Sequence, residues 1–326
     1  MLDRNGRVVD YLRISVTDKC NLRCRYCMPA EGVEEKGHNN ILPFEQIYRI
    51  VKAGAQVGIR KVRLTGGEPL VRKNIVKLVE DIAGIEEIDD LSITTNGTLF
   101  ARMAKDLKNA GLKRVNFSLD SLVDERLKYI TRSTDLPDIR NAIDMAISLE
   151  LHPVKLNVVV IKGFNDDEIM DFVALAYNNP IHVRFIEFMP IGDLSFYSAD
   201  KTVATADIRR QIVCNYDITP GKGIIGYGPA QYYHLTGGQG SVGFISPISN
   251  HFCGQCNRIR MTADGRLRSC LYHNKEIDLK MALLNSDSNE QLTKLFVKAI
   301  LSKPNRHEMQ SGWGKDNYRK MVQIGG

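Results

Sequence analysis

Apolar and polar positions alternate over residues 11–17, 61–65, 91–95, 114–119, 153–161 and 183–188, a period of two that predicts six β-strands. Between them, residues 44–57, 74–82, 99–110, 136–149 and 167–176 repeat their apolar positions every three to four residues and are predicted to be helices. Strand–helix alternation gives a parallel sheet with helices outside it. Six units fall short of the eight that close a barrel. The fold expected is therefore α/β, an incomplete (βα)6 partial TIM-type barrel.

Parallel strands covered by helices should be apolar on both faces, yet here every second position is polar. The polar set is Arg13, Ser15 and Thr17; Arg63 and Thr65; Ser92, Thr94 and Asn96; Asn116, Ser118 and Asp120; Lys155 and Asn157; and Arg184. With helices on the outside, these side chains are expected to line a hydrophilic interior. In βα barrels the reactive end is where strands run into their following loops. A cysteine-rich run begins just past the first strand.

After about residue 196 the rhythm changes. A helical stretch at 206–213 leads into a glycine-rich region, 221–243, which lacks the Gly-Lys-Ser/Thr ending of a phosphate loop and is read as turns. A second cysteine group and helices at 280–285 and 290–301 follow. The expected division is 1–196 for the partial barrel and 197–326 for a C-terminal extension. Residues 1–10 hold no signal-peptide core and no apolar run reaches membrane-span length, so a cytoplasmic protein without a membrane partner is expected. The formal charge of +6 is spread along the chain without a basic run, which argues against a nucleic-acid partner.

Seven cysteines in a reducing compartment point to metal or chemistry and away from disulfides. Cys20, Cys24 and Cys27 are one short of the four thiolates a cubic iron–sulfur cluster normally takes. An open iron would mark a reactive position, as an open coordination position does at catalytic zinc. Cys253, Cys256 and Cys270 form a second triad. Its spacing also suits a Cys3His zinc site with His273, whereas Asn257, Arg258 and Arg260 place donors and positive charge there, suiting a bound anion or purine edge. Cys214 is expected to be a buried thiol, and His38, in the polar stretch 32–42, an exposed loop histidine.

Cys20, Cys24 and Cys27, with Gly66-Gly67-Glu68-Pro69 ending the second strand, resemble the radical S-adenosylmethionine enzymes. Arg13, Arg63-Leu64-Thr65, Thr94-Thr95-Asn96-Gly97, Ser118-Leu119-Asp120, Lys155-Leu156-Asn157, Cys253-x-x-Cys256-Asn257-Arg258-Ile259-Arg260, Cys270 and the terminal Gly325-Gly326 extend the likeness. Over essentially the whole chain they resemble the GTP 3′,8-cyclase family of molybdenum-cofactor biosynthesis.

The resemblance implies two [4Fe-4S] clusters, one on each cysteine triad, with S-adenosyl-L-methionine chelated to the open iron of the first. It implies that Tyr26, Gly67, Ser118 and Met189 bind S-adenosylmethionine. It implies GTP as substrate, its purine at the second cluster beside Arg258 and Arg260, and Arg13, Arg63, Thr94, Lys155 and Arg184 toward the nucleotide. It further implies hydrogen removal at the ribose 3′ carbon, closure onto C8 of guanine, and release of 3′,8-cyclo-7,8-dihydro-GTP. Catalytic roles then fall to Arg258, Arg260 and the Gly325-Gly326 tail. The partners implied are a flavodoxin- or ferredoxin-type electron donor, a downstream cyclic pyranopterin monophosphate synthase and a second copy of the chain in a homodimer. Two alternatives stand beside this reading: a radical S-adenosylmethionine enzyme that modifies peptides, and a non-enzymatic zinc-binding module.

Overall fold

A computed structural model describes residues 1–33, 41–134, 139–221, 228–285, 289–309 and 319–325. His38, Gly326 and the first residues of the helix predicted at 136–149 lie outside them. The first part of the chain runs β1 (Tyr11–Ser15), α1 (Phe44–Gln56), β2 (Lys61–Thr65), α2 (Ile75–Ala83), β3 (Asp90–Thr95), α3 (Phe100–Asn109), β4 (Arg114–Ser118), α4 (Asp124–Thr131), α5 (Ile139–Ser148), β5 (Val154–Val160), α6 (Ile169–Asn178) and β6 (Ile181–Glu187). The second part runs α7 (Thr205–Val213), β7 (Ile218–Pro220), β8 (Gln231–Leu235), β9 (Ser241–Ile245), β10 (Arg258–Met261), β11 (Arg266–Arg268), β12 (Glu276–Asp278), α8 (Lys280–Asn285), α9 (Glu290–Leu301) and α10 (Met321–Ile324).

All of these strands join one sheet in the order β12-β11-β10-β1-β2-β3-β4-β5-β6-β9-β8-β7. The six expected βα units form its centre in sequence order. The C-terminal segment adds a parallel strand to each side, β10 against β1 and β9 against β6, and each is followed outward by antiparallel strands.

Register places the polar set in rows. Arg260, Arg13, Arg63, Ser92 and Arg114 pair across β10 to β4. Thr94, Asn116, Lys155 and His182 pair across β3 to β6, and Ser118, Asn157, Arg184 and Gly243 across β4 to β9. The alternate residues, among them Leu12, Ile14, Val62, Leu64, Ile93, Val115, Phe117, Leu156, Val183 and Phe185, are buried in the main core under the helices. Burying each such side chain is worth about 1.5–3 kcal/mol, so the apolar face is what holds the polar face in place.

Helix α1 shows the local logic. Pro43, at φ −65°, pre-sets its entry, and Ile47, Ile50, Val51 and Ala53–Ala55 form the buried stripe. Gly58, at φ +96°, turns the chain out. A Cβ on Gly54 would lie 3.1 Å from the Phe296 ring, so α9 packs closely on α1 and ties the C-terminal segment to the first unit.

Three expectations needed correction. The glycine-rich stretch is not all turn: β9 includes Gly243, which sits beside Arg184, and a Cβ there would lie 3.0 Å from Tyr232 and 3.3 Å from Cγ of Arg184. Its glycine leaves room for an interior arginine. Helix α4 was not foreseen because it buries only Ile130 and Thr131, leaving too narrow an apolar stripe to register. Cys214 is exposed at the end of α7, not buried.

Candidate active site

The loop after β1 carries Cys20, Cys24 and Cys27. A turn bonds the Cys27 and Met28 amides to the Cys24 carbonyl at 2.9 and 3.2 Å, and the Leu22 amide donates to the Cys20 sulfur at 3.4 Å. Burial pushes the thiols up, Cys20 to about 11 and Cys27 to about 12, and Cys24 rises for the same reason with its two neighbours adding. Three thiols that repel one another as anions in a water-poor site become thiolates when a metal supplies the positive charge. The donor set therefore fits the iron–sulfur cluster that the spacing suggests.

The Gly66-Gly67-Glu68-Pro69 turn braces this loop. The Gly67 amide donates to the Thr17 carbonyl at 2.8 Å and the Glu68 amide to the Lys19 carbonyl at 2.9 Å. A Cβ on Gly67 would lie 2.3 Å from the Lys19 oxygen, so no larger residue fits. Glu68, fully buried, accepts from the Thr95 hydroxyl at 2.8 Å and the Asn96 and Leu70 amides at 2.7 and 3.1 Å. Burial outweighs those bonds and raises its carboxyl to about 7. Tyr26 donates to Asp120 at 2.6 Å. The other oxygen of Asp120 accepts from the Val159 amide at 2.9 Å, and burial raises this carboxyl to about 6.

The second triad opens into a cavity of ≈ 1100 Å³, its mouth included. Arg13, Arg63 and Arg184 reach the cavity from β1, β2 and β6, and Arg258 and Arg260 from β10; Met189 and Asn157 also line it. Side chains from strands six places apart in the sheet share one cavity, so the sheet curls into the partial barrel expected. Burial pushes Arg63 down to about 10. It pushes Arg260 down to about 9, with Arg258 repelling it, and lowers Arg13, with Arg260 and Arg63 repelling it. Lys155, one row further in, falls to about 5 through burial and repulsion from Arg184, Arg114 and Arg63.

Neither Asp120 nor Glu187 neutralises these cations. Asp120 is engaged as above, and Glu187 accepts from the Thr205, Ile248 and Ser249 amides at 3.1, 2.9 and 2.9 Å, pinning the C-terminal segment to β6. At the triad itself, burial raises Cys256, but Arg258 and Lys303 outweigh it and hold the thiol at about 6. Burial raises Cys253.

Helix α10 lies between the two triads. The Val322 amide donates to the Cys27 sulfur, and the Gly325 carbonyl accepts from Arg260 at 2.7 Å. Gly325, at φ +82°, rests on β1 and β2; a Cβ there would lie 2.5 Å from the Thr65 hydroxyl.

Of the remaining expected residues, Ser118 ends β4 opposite Asn157. Thr94 is interior, its hydroxyl buried without a hydrogen-bond partner. His273 does not join the cysteines; its Nε2 faces the Arg306 carbonyl at 3.3 Å. Sequence reasoning missed Arg114, ion-paired with Asp90 in the interior row, and Lys303, which donates to the Arg258 and Ser269 carbonyls at 2.7 and 2.8 Å. Arg114 was within reach, since it occupies the same alternate positions as Asn116. Lys303 follows a helix with no pattern to mark it.

A curled parallel sheet with three cysteines in the loop after its first strand defines the radical S-adenosylmethionine class, and the profile described as the Radical SAM superfamily matches residues 14–176. The profile described as Molybdenum Cofactor Synthesis C matches residues 181–309. The chain is 58% identical over 326 residues to the GTP 3′,8-cyclase of Syntrophomonas wolfei and 51% identical over 327 residues to that of Desulforamulus reducens, with 100% of each chain covered in both cases. It belongs to the GTP 3′,8-cyclase family. Among solved structures it resembles Streptococcus suis SuiB bound to precursor peptide SuiA, with a TM-score of 0.61 at 16% identity over 91% of this chain and 67% of that one. It also resembles anSMEcpe with bound AdoMet, with a TM-score of 0.54 at 17% identity over 88% and 83%. At such identities the likeness is one of fold.

Proposed function

We infer that the arginine-lined cavity holds GTP between the two cysteine triads, and that the chain converts it to 3′,8-cyclo-7,8-dihydro-GTP. The chain is an enzyme of the GTP 3′,8-cyclase family and acts in molybdenum-cofactor biosynthesis. Full-length kinship to those enzymes leaves no room for a non-enzymatic module and disfavours a peptide substrate. The observation that carries the nucleotide reading is the meeting of five arginines and the second triad in one cavity. Arginines that depress one another's proton affinity call for a polyanion, and planar guanidinium forks suit a triphosphate.

When bound, a cluster on Cys20, Cys24 and Cys27 with S-adenosylmethionine supplies a carbon radical by one-electron cleavage. The chain's own work is to place the nucleotide and exclude water. Tyr26, Gly67, Ser118 and Met189 surround the cofactor side. Arg13, Arg63, Lys155 and Arg184, with Thr94, hold the phosphates and ribose, while Arg258 and Arg260 face the purine end beside a second cluster on Cys253, Cys256 and Cys270. Gly325 lies between the two sides, its carbonyl held by Arg260, and the Gly325-Gly326 tail takes part in turnover. On this reading residues 1–196 are the radical-forming partial barrel, which also supplies the cations for the phosphates, and residues 197–326 add the second triad, Arg258, Arg260 and the tail to the same sheet.

On the same reading, a flavodoxin- or ferredoxin-type donor supplies electrons, a cyclic pyranopterin monophosphate synthase takes the product, and the chain is a cytoplasmic homodimer. Family likeness supports these, together with the finding that no helix among the described residues is long and apolar enough to cross a membrane. The test is anaerobic incubation of the reconstituted protein with GTP, S-adenosylmethionine and reductant. Cyclised nucleotide is expected; cleaved S-adenosylmethionine with intact GTP would remove the substrate assignment.

A further inference from the structure

Beside the second triad, two histidines from distant parts of the chain meet one of its cysteines. Among the described residues, His251, Cys253 and His307 form the trio whose ligand atoms all lie within 4.8 Å of one another. The two imidazole rings stand edge to face with centroids 4.6 Å apart. His307 is 5% exposed and Cys253 9%. Nδ1 of His251 and Nε2 of His307 are both buried without a hydrogen-bond partner. Leaving such an atom unsatisfied costs about 1–3 kcal/mol, and native interiors rarely tolerate it. Two orphaned imidazole nitrogens beside a buried thiol are the donor set of a borderline-soft cation.

The spacing favours a single ion. Metal–nitrogen bonds of about 2.0–2.1 Å and metal–sulfur bonds of about 2.3 Å at tetrahedral angles put ligand atoms roughly 3.3–3.8 Å apart. A trio within 4.8 Å closes to that by side-chain rotation. Ligands of different irons in a cubic cluster lie farther apart, so the histidines are placed to take Cys253 for one ion and not to join a cluster.

We propose that His251, Cys253 and His307 form a mononuclear site for one divalent transition ion of the zinc class, filled in the cluster-free chain. It excludes the second cluster because both need the Cys253 thiolate, a consequence that rests on the cluster reading above. On loading, the thiol proton leaves to solvent and the metal–sulfur bond forms with no change of oxidation state. His307 binds through Nε2 with its proton on Nδ1, which gives up the 3.3 Å contact from the Met309 amide. The fourth ligand is water or a second thiol of the triad.

The test uses the full chain before cluster loading, under anaerobic reducing conditions, with Co2+ as the probe. One tightly held Co2+ per chain is expected, with tetrahedral ligand-field bands and thiolate charge transfer. His251→Ala with His307→Ala should weaken it by more than roughly 100-fold, since even outer partners of metal ligands are worth about 10–100-fold. His307→Cys should restore binding with added thiolate intensity, which damage to the fold cannot do. Unchanged Co2+ affinity in the double alanine variant, or no rescue by cysteine, overturns the site. Iron content after reconstitution keeps the two readings apart. Zinc added first should halve the iron taken up, whereas a chain that takes up only about four irons without zinc refutes the second cluster and leaves the cobalt result to stand alone.

Discussion

Lys155 is the residue whose replacement most directly tests the idea of a cavity built for a polyanion. Its ammonium has an ordinary value of 10.5 and falls to about 5 in the folded chain through burial and the arginines around it. Between those values the unfolded chain binds a proton that the folded chain does not, so stability rises with pH across that window, by up to about 1.4 kcal/mol per pH unit. At pH 7.5 the unfavourable linkage amounts to about 4 kcal/mol, an upper bound on what removing the amine could return. Lys155→Met keeps most of the volume and abolishes the linkage. The nucleotide-free variant should therefore melt higher than the parent by several degrees, at about 2–4 °C per kcal/mol for a chain of this size. Its stability should also lose the slope between pH 6 and 9. Calorimetry of GTP binding to the parent in buffers of differing ionisation enthalpy should show uptake of close to one proton at neutral pH, absent in the variant. Equal pH slopes in the two proteins, or binding without proton uptake, would refute a polar interior that leaves Lys155, just behind the cavity wall, uncharged until the triphosphate arrives.

Removing Gly325 and Gly326 should abolish GTP turnover while iron content stays unchanged; a truncated chain with full turnover would exclude a role for the tail. Arg260→Ala removes both a cavity cation and the 2.7 Å bond to the Gly325 carbonyl, and should weaken GTP binding at least tenfold, by about 1.5–3 kcal/mol for a charge-assisted bond, read by equilibrium binding with S-adenosylmethionine cleavage retained. Replacing Cys253, Cys256 and Cys270 by Ala should leave about four irons per chain of about eight, as should replacing the first triad; colorimetric iron analysis decides. Glu68, raised from its ordinary 4.5 to about 7 by burial, holds its proton in the fold where the unfolded chain releases it, so stability should fall by up to about 1.4 kcal/mol per unit as pH rises from 4.5 to 7. Glu68→Gln should flatten that fall in pH-dependent melting, and an unchanged slope would exclude the assignment.

The central sheet was legible because two periodicities coincide. Alternation set the strands, and the polar half of each alternation, Arg13, Arg63, Asn116, Lys155 and Arg184, marked the inner face, which the register confirms in rows. The flanking strands were not legible. β10 overlaps the Asn257 to Arg260 motif, where ligand-like residues mask a strand of four, and β9 is interrupted by Gly243, whose lack of a side chain serves Arg184 opposite. Both are three-dimensional demands that leave no local pattern. The same holds for His307: His251 stands two residues before Cys253 in the chain, but His307 is a lone histidine in a loop until the fold brings it to that pair.

The sheet order explains why the tail can reach the centre of the site. β10 pairs with β1, so the second triad just before β10 and the first triad just after β1 lie at opposite ends of neighbouring parallel strands. Parallel strands enter from one end and leave by the other, and the barrel's depth therefore separates the triads. Arg260 faces inward partway along β10, beside Arg13, and α10 runs from the Cys27 sulfur to Arg260. A helix of one turn spans about 6 Å, with Gly325 beyond it able to take the positive φ that turns its carbonyl toward the guanidinium. Any residue with a Cβ at Gly325 would be forced against Thr65. The small residue is thus required by the close approach to β2 as much as by the turn, and substitution there should disturb the Arg260 contact before it disturbs the fold.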